Sequence, residues 1–325
     1  MKKILALLLV LMMVLSLAAC GESAEKTDKK DGAATADTTD DTGAGESEAD
    51  ENRVIDDTSV MAMSFGVPGE FESVQRYIEQ TVDGEISEKD IIFNFSEDSS
   101  LTYAYGMGMS LDDVLEAMSM DKESADTKLC GDTVMYLKTN GTSYYAFGEY
   151  GGKLYAVSYS GDDEDAEALF NSSLDGVTFS SASETKMNDT VFEDITYDAG
   201  ADDAICGYRS TVEEDREGEL IMKNIGWYYG ENKDDPDYRF GITCYKNTTV
   251  EDEIGENEDT EETEIGGVTY TYIVPDDEKP YDYYTQYGDD VYEIRNNGAF
   301  NGLFTTRSDE SATAFEAFLE TVSFN

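Results

Sequence analysis

The chain has 325 residues and carries 72 acidic against 22 basic side chains, which gives a net charge of −50 at pH 7. Such acidity argues against binding to nucleic acid, whose phosphates require basic residues, and against lying flat on anionic lipid. The chain contains no histidine, which excludes Ser-His-Asp and Cys-His catalysis in their usual forms and removes the commonest transition-metal ligand.

The N-terminus has the three parts of an export signal. Lys2 and Lys3 give a positive start, and an almost wholly apolar run follows over residues 4–17. This run is shorter than the about 20 residues that a membrane-spanning helix needs. Small residues then lead to a cysteine in the sequence Leu17-Ala18-Ala19-Cys20. We therefore predict a signal peptide over residues 1–19.

The sequence Leu17-Ala18-Ala19-Cys20 resembles the lipobox of bacterial lipoprotein precursors. The resemblance implies cleavage before Cys20 and a diacylglyceryl thioether on its sulfur. Each buried methylene of such a lipid contributes about 0.8 kcal/mol, and two acyl chains hold a protein to a bilayer far better than one. The resemblance thus implies a protein that is lipid-anchored through Cys20 to the outer, extracytoplasmic face of the cell membrane. The alternatives are an ordinary signal peptide with a chance cysteine and an N-terminal membrane anchor.

The composition changes twice after the cysteine. Residues 20–53 are predicted to be the lipidated cysteine and a disordered tether, because they contain no aromatic residue and cannot bury enough apolar surface to fold. From residue 54 onward, aromatic and β-branched runs alternate with Gly, Asn and Asp, which indicates strands and turns. The remaining length suits two domains. We predict them over residues 54–181 and 187–325, separated by a Ser/Ala/Thr stretch.

The two predicted domains repeat one order of patterns. A strand pattern at residues 101–109 and a helix start at Ser110 correspond to a strand pattern at residues 237–245 and a weaker helix start at residues 248–254. Three more strand patterns match in order, and each half closes with an amphipathic helix and a Val-x-Phe strand. This order predicts an α+β fold of two tandem related domains, each an antiparallel sheet packed with helices. The closing elements resemble small α+β domains of the Mog1/PsbP-like type, and that likeness assigns no function.

Three cysteines remain after Cys20, namely Cys130, Cys206 and Cys244. An exported compartment permits disulfides, and an odd number leaves at least one thiol unpaired within the chain. Cys206 and Cys244 both lie in predicted strands of the second domain, so a disulfide between them requires those strands to lie close together. The alternative is three buried thiols that pack as small apolar side chains. No Cys-x-x-Cys pair is present, which argues against a structural zinc or redox site.

Acidic runs in predicted turns offer oxygen ligands for calcium. None has the spacing of an EF-hand, and solvated turns are the favoured alternative. The acidic runs are Asp162–Asp165, Asp234–Asp237, Asp276–Glu278 and Asp289–Asp290.

Aromatic residues in strands and their connections offer a contact surface, since exposed tyrosines bind at low entropic cost. The favoured alternative is that they fill half-buried sheet faces. These aromatic residues are Tyr144, Tyr145, Trp227, Tyr228, Tyr229, Tyr281, Tyr283, Tyr284 and Tyr287.

The sequence contains neither a Gly-x-Gly-x-x-Gly loop nor a P-loop lysine motif, so nucleotide chemistry has no support. The sequence predicts a lipid-anchored extracytoplasmic lipoprotein that is not an enzyme and needs no cofactor. Its partner would be a protein, peptide or glycan of the cell envelope, with no role for nucleic acid. A solute- or cation-binding lipoprotein that acts with a membrane partner is the first alternative. A hydrolase that uses carboxylates only is the second.

Overall fold

The computed structural model describes residues 59–325, except for residues 107, 181–191, 193, 201–203, 232, 235, 256–258, 275–281, 297–298, 302–303 and 307–308. The predicted signal peptide, the lipobox with Cys20, the tether and the predicted boundary at residues 181–187 lie outside these residues. Within the described ranges, the helices are all too short or too polar to cross a membrane.

The first half of the described chain contains two helices, α1 (Leu111–Ala117) and α2 (Ala166–Asp175). Its strands are β1 (Ser59–Val60), β2 (Met63–Ser64), β3 (Ser73–Thr81), β4 (Ile86–Ser96), β5 (Ser99–Tyr105), β6 (Thr127–Cys130), β7 (Thr133–Asn140), β8 (Ser143–Tyr150), β9 (Lys153–Ser160) and β10 (Thr178–Phe179).

The second half contains the helices α3 (Val250–Ile254) and α4 (Asp309–Leu319). Its strands are β11 (Ile195–Thr196), β12 (Ile205–Asp215), β13 (Leu220–Tyr229), β14 (Tyr238–Tyr245), β15 (Thr260–Ile265), β16 (Val268–Ile273), β17 (Asp282–Tyr287), β18 (Asp290–Asn296), β19 (Ala299–Asn301), β20 (Phe304–Thr306) and β21 (Ser323–Phe324).

Fourteen of these strands form one antiparallel sheet that runs through both halves. The halves join where β3 pairs with β12 over nine residue pairs, from Ser73 with Asp215 to Thr81 with Gly207. We call this pairing the seam. Outward from the seam, the strands follow the order β3-β4-β5-β9-β8-β7-β6 in the first half and β12-β13-β14-β18-β17-β16-β15 in the second. The two halves therefore have the same strand order about the seam.

The predicted α+β fold with a separate sheet in each domain is wrong. Strands dominate the described residues, the helices are short, and one long sheet carries both halves. The patterns that locate single strands say nothing about which strands pair across a domain boundary. A separate sheet in each half would leave β3 and β12 as long unpaired edges, which proteins avoid. Pairing the two strands removes both edges at once.

Two apolar cores cover the same face of the sheet. In the first half, α2 and the short strands β1, β2 and β10 pack on a core that includes Ile78 and Phe93. In the second half, α4 packs on a core that includes Ile242 and Ile294. Ile78 lies opposite Ser210 across the seam, and Ser210 lies opposite Ile225 of the second core. Because residues directly opposite in a sheet share a face, both cores lie on one side.

The cysteines of the described chain are free thiols. Cys206 lies in β12 and Cys244 in β14, and β13 runs between these two strands. Neighbouring strands are about 4.8 Å apart, so the two Cα atoms are separated by at least about 9 Å. A disulfide requires a separation below about 7 Å. The Cys206–Cys244 disulfide that the sequence left open is therefore not formed in the structure.

Replacement of Phe315 by alanine tests the second core. Phe315 is fully buried, and its ring packs on Phe240, Tyr283 and Phe318. The cavity should lower the free energy of unfolding by about 3–5 kcal/mol, measured by chemical denaturation. Val134→Ala is the control, since Val134 is 43% exposed, and it should change stability by no more than about 0.5 kcal/mol. Equal losses in the two variants would contradict the core.

Candidate functional site

The face of the sheet opposite the two cores is polar across its central strands. Alternate side chains of a strand point to opposite faces, so the register places a set of polar side chains together here. Helix α1 covers one end of this face, where Val114 and Phe147 belong to an apolar cluster. Helix α3 lies at the other end, where the Val250 amide donates to Gln286 of β17. We call the strip between the two helices the polar face. Its side chains are Tyr77, Glu79, Glu88, Asp90, Arg209, Thr211, Asn224, Tyr228, Arg239, Thr243, Tyr284 and Glu293.

An ion pair between Lys233 and Glu79 lies on the polar face at the seam. The loop after β13 folds over β12, so that the stem of Lys233 lies against Gly207. The Lys233 ammonium donates to Glu79 Oε1 at 2.6 Å. The hydroxyls of Tyr77 and Tyr228 donate to Glu79 Oε2 at 2.7 and 2.6 Å. Burial alone would raise the pKa of Glu79, but the hydrogen bonds from Lys233 and Tyr228 outweigh it and lower that pKa. Glu79 is thus an ionised carboxylate with both oxygens occupied.

Two further carboxyl groups lie beside Glu79 on β4. Glu88 lies opposite Glu79 in register, and Asp90 lies opposite Tyr77. Burial and the negative charge of Glu79 raise the pKa of Glu88 to about 7. Burial and the charge of Glu88 also raise the pKa of Asp90, whose buried Oδ1 has no hydrogen-bond partner among the described residues. Near neutral pH this part of the face therefore carries less negative charge than its three carboxyl groups suggest.

A second group of charges lies on β17 and β18. Glu293 is buried and accepts hydrogen bonds from the hydroxyls of Tyr245 and Tyr284, each at 3.0 Å. It also forms an ion pair with Arg295, whose Nε donates to Asp282 at 2.7 Å. The phenols at this end hold a carboxylate in place, as Tyr77 and Tyr228 do at the seam.

Arg209 lies between these two groups. Its side chain extends from β12 across Gly226 of β13, where an added Cβ would lie 2.7 Å from Arg209 Nε. The guanidinium ends near Gly241 of β14, where an added Cβ would lie 4.0 Å from Nη2. Arg239 follows on β14, with its guanidinium 5.3 Å from the centre of the Tyr228 ring. Burial, together with the positive charge of Arg209, lowers the pKa of Arg239. Two arginines therefore converge on the middle of the face.

The aromatic residues that the sequence offered as a contact surface are mostly buried. Trp227, Tyr229 and Tyr283 belong to the second core, whereas Tyr228 and Tyr284 are buried on the polar face with their hydroxyls bound to carboxylates. These five residues therefore fit the favoured alternative of the sequence analysis, in which aromatic side chains fill the faces of the sheet. Of the rest, Tyr144, Tyr145 and Tyr287 are half-buried, and Tyr281 lies outside the described residues.

The acidic runs make local contacts. Asp163 accepts a hydrogen bond from the Tyr159 hydroxyl, and Asp290 forms an ion pair with Lys246. Asp234 forms an ion pair with Lys233. The run Asp276–Glu278 lies outside the described residues. In the described part of the chain, no group of three or more acidic or cysteine side chains is placed to hold a metal ion.

Of the residues of the polar face, sequence reasoning singled out only Tyr228 and Tyr284, and it did so as aromatic contact residues; it missed the charged ones. The available signal was weak, because charged residues that alternate with apolar ones in a strand ordinarily mark a solvated face. Glu79 and Arg209 are 130 positions apart, and only the register of the seam puts them opposite each other.

Glu88→Gln tests the raised pKa by the pH dependence of stability. An unfolded glutamate has a pKa of about 4.3, so between about pH 4.3 and 7 the folded chain holds a proton that the unfolded chain has lost. The free energy of unfolding must then fall as the pH rises through this window. At pH 8 we expect the variant to be more stable than the wild type by roughly 1–3 kcal/mol, and at pH 4 about equally stable.

The measurement is thermal unfolding at a series of pH values. Glu97→Gln is the control, because Glu97 lies exposed in the turn between β4 and β5, and it should keep the pH dependence of the wild type. An unchanged pH dependence in Glu88→Gln would contradict the assigned environment of Glu88.

No protein-family model matches the sequence, and none of the curated proteins compared with it matches. Among solved structures, the chain is similar to MucB in complex with MucA(peri), with 9% identity, a TM-score of 0.18, and coverage of 78% of this chain and 93% of that chain. It is also similar to the Pseudomonas aeruginosa MucA/MucB complex, with 8% identity, a TM-score of 0.19, and coverage of 78% and 94%. Similarity at this level assigns neither a family nor a fold.

Proposed function

We propose that the chain is a lipid-anchored extracytoplasmic protein that is not an enzyme and that binds a protein, peptide or glycan of the cell envelope on its polar face. The polar face carries this proposal. Across seven central strands it keeps a strip of hydrogen-bonding side chains that no helix of the described residues covers, whereas helices and short strands cover the opposite face.

The side chains of the polar face are held in place before any partner arrives. Tyr228 is fixed by its hydrogen bond to Glu79, and Tyr284 by its hydrogen bond to Glu293. Ordering a flexible side chain on binding costs about 0.5–1.5 kcal/mol, and fixed side chains avoid much of this loss. Fixed donors and acceptors also suit a polar partner better than an apolar one. The face is therefore suited to binding a polar surface or chain.

The chemistry of the described residues supports a role other than catalysis. Burial raises the pKa of the thiols of Cys130, Cys206 and Cys244, which keeps them protonated and weakly nucleophilic. A hydrolase that uses carboxylates needs an acid and a base that can reach a substrate. Glu79, the ionised carboxylate at the seam, does not offer such a base, because both of its oxygens are occupied by Lys233 and two tyrosines.

The lipid anchor rests on the lipobox resemblance and is tested by labelling. Cells supplied with labelled palmitate should label the wild-type protein and should fail to label Cys20→Ala, because Cys20 is the proposed acceptor of the lipid. Cys130→Ala is the control and should be labelled like the wild type. Palmitate label that persists in Cys20→Ala would contradict lipidation at Cys20.

A photocrosslinking residue at Thr211, in the middle of the polar face, tests the binding surface in intact cells. We expect one discrete crosslinked product from this position. The same residue at Asp162, an exposed position just before α2, is the control and should not give that product. The proposal fails if Thr211 gives no product, or if both positions give the same one.

A further inference from the structure

We propose that Arg209 and Arg239 form a site for an oxyanion of the bound partner, either a carboxylate or a phosphate. This inference deepens the proposed function and rests on it, since it names the chemical group that the polar face recognises.

The first observation concerns the partners of Arg209 in the described part of the chain. Arg209 makes no hydrogen bond and no ion pair with the described residues, although the chain has 72 acidic side chains. Glu79 lies directly opposite Arg209 across the seam, and opposite charges in this relation attract. Lys233 and the two tyrosines have taken both oxygens of that carboxylate. The guanidinium of Arg209 therefore keeps its N–H donors for another acceptor.

The second observation is the space kept around this guanidinium. Gly226 and Gly241 lie opposite each other on β13 and β14, and glycine weakens a strand interior. An added Cβ at Gly226 would lie 2.7 Å from Nε and 3.0 Å from Cγ of Arg209. Glycine inside a strand often marks a place where another group approaches closely. The two glycines leave room for the Arg209 side chain to extend across the sheet.

The third observation is a second positive charge at the same place. Arg239 lies opposite Tyr228, and its guanidinium is placed over the ring of that tyrosine. The guanidinium groups of Arg209 and Arg239 carry like charges and repel each other. An anion that binds between them would be attracted to both. The guanidinium fork matches carboxylate and phosphate oxygens, which it binds through two parallel hydrogen bonds.

Calorimetric titration of the full chain with succinate, and separately with inorganic phosphate, tests the site. Chloride keeps the ionic strength constant in all titrations. We expect saturable one-to-one binding of at least one probe, and the stronger probe identifies the anion class. Arg209→Gln should weaken that binding at least about tenfold, as expected when a charged hydrogen-bonded pair is lost.

Two further variants separate the site from general electrostatics. Gly226→Ala should also weaken binding about tenfold, because the new Cβ displaces Arg209 while keeping its charge. Arg216→Gln removes an exposed arginine that donates to the Gly69 carbonyl, and it should bind like the wild type. Arg209→Gln should melt no lower than the wild type, since Arg209 has no partner within the described residues to lose.

Three results would overturn the inference: no saturable binding of either probe, equal binding by Arg209→Gln, or a large drop in the melting temperature of Arg209→Gln. If any one of these results is found while the residue at Thr211 still crosslinks to a partner, the proposed function stands and the oxyanion site is rejected. If a probe binds through Arg209 but Thr211 gives no crosslink, the oxyanion site stands and the proposed partner falls.

Discussion

The pairing of β3 with β12 is the interaction on which the rest of the structure depends. It joins two halves of seven strands each into one sheet, and side chains reinforce it on both faces. On the face of the cores, Arg76 donates to Glu214 at 2.8 Å and is almost fully buried. On the polar face, Ser73 donates to Glu213 at 2.6 Å. Removing the Glu214 carboxylate while Arg76 stays buried would leave the arginine without this ion pair, a change that typically costs about 3–5 kcal/mol.

The seam also determines the chemistry of the polar face. Glu79 and Tyr77 come from β3, whereas Arg209 and Tyr228 come from β12 and β13, so neither half alone carries the arrangement. Lys233 neutralises Glu79 from above the sheet, and the buried carboxyl of Glu88 needs no partner while it holds its proton. Arg209 lies beside these groups, and its positive charge contributes to lowering the pKa of Arg239. A strongly negative chain can thus present a local site for an anion.

Local features of the fold followed from the sequence. Ser110 caps α1 as predicted, with its side chain accepting from the Asp113 amide at 3.2 Å. The amphipathic helix predicted to close the second half is α4, which buries Phe315, Phe318 and Leu319. The strand pattern at residues 237–245 is β14. The polar face could not be predicted, because it depends on contacts between strands far apart in sequence, and periodicity reports only local structure. The same limit explains why tyrosines such as Tyr284 could not be assigned to a buried network.

The central claim is that the seam joins the two halves into one cooperative unit. Chemical unfolding, followed by a separate probe in each half, tests this claim. Trp227, the only tryptophan, reports on the second core by fluorescence. Cys130 is 2% exposed in the first core, and its alkylation, read by mass spectrometry, reports on the first. A shared sheet predicts that the two transitions coincide at one denaturant concentration. Two transitions at clearly different concentrations would show that the halves unfold independently and would contradict the seam.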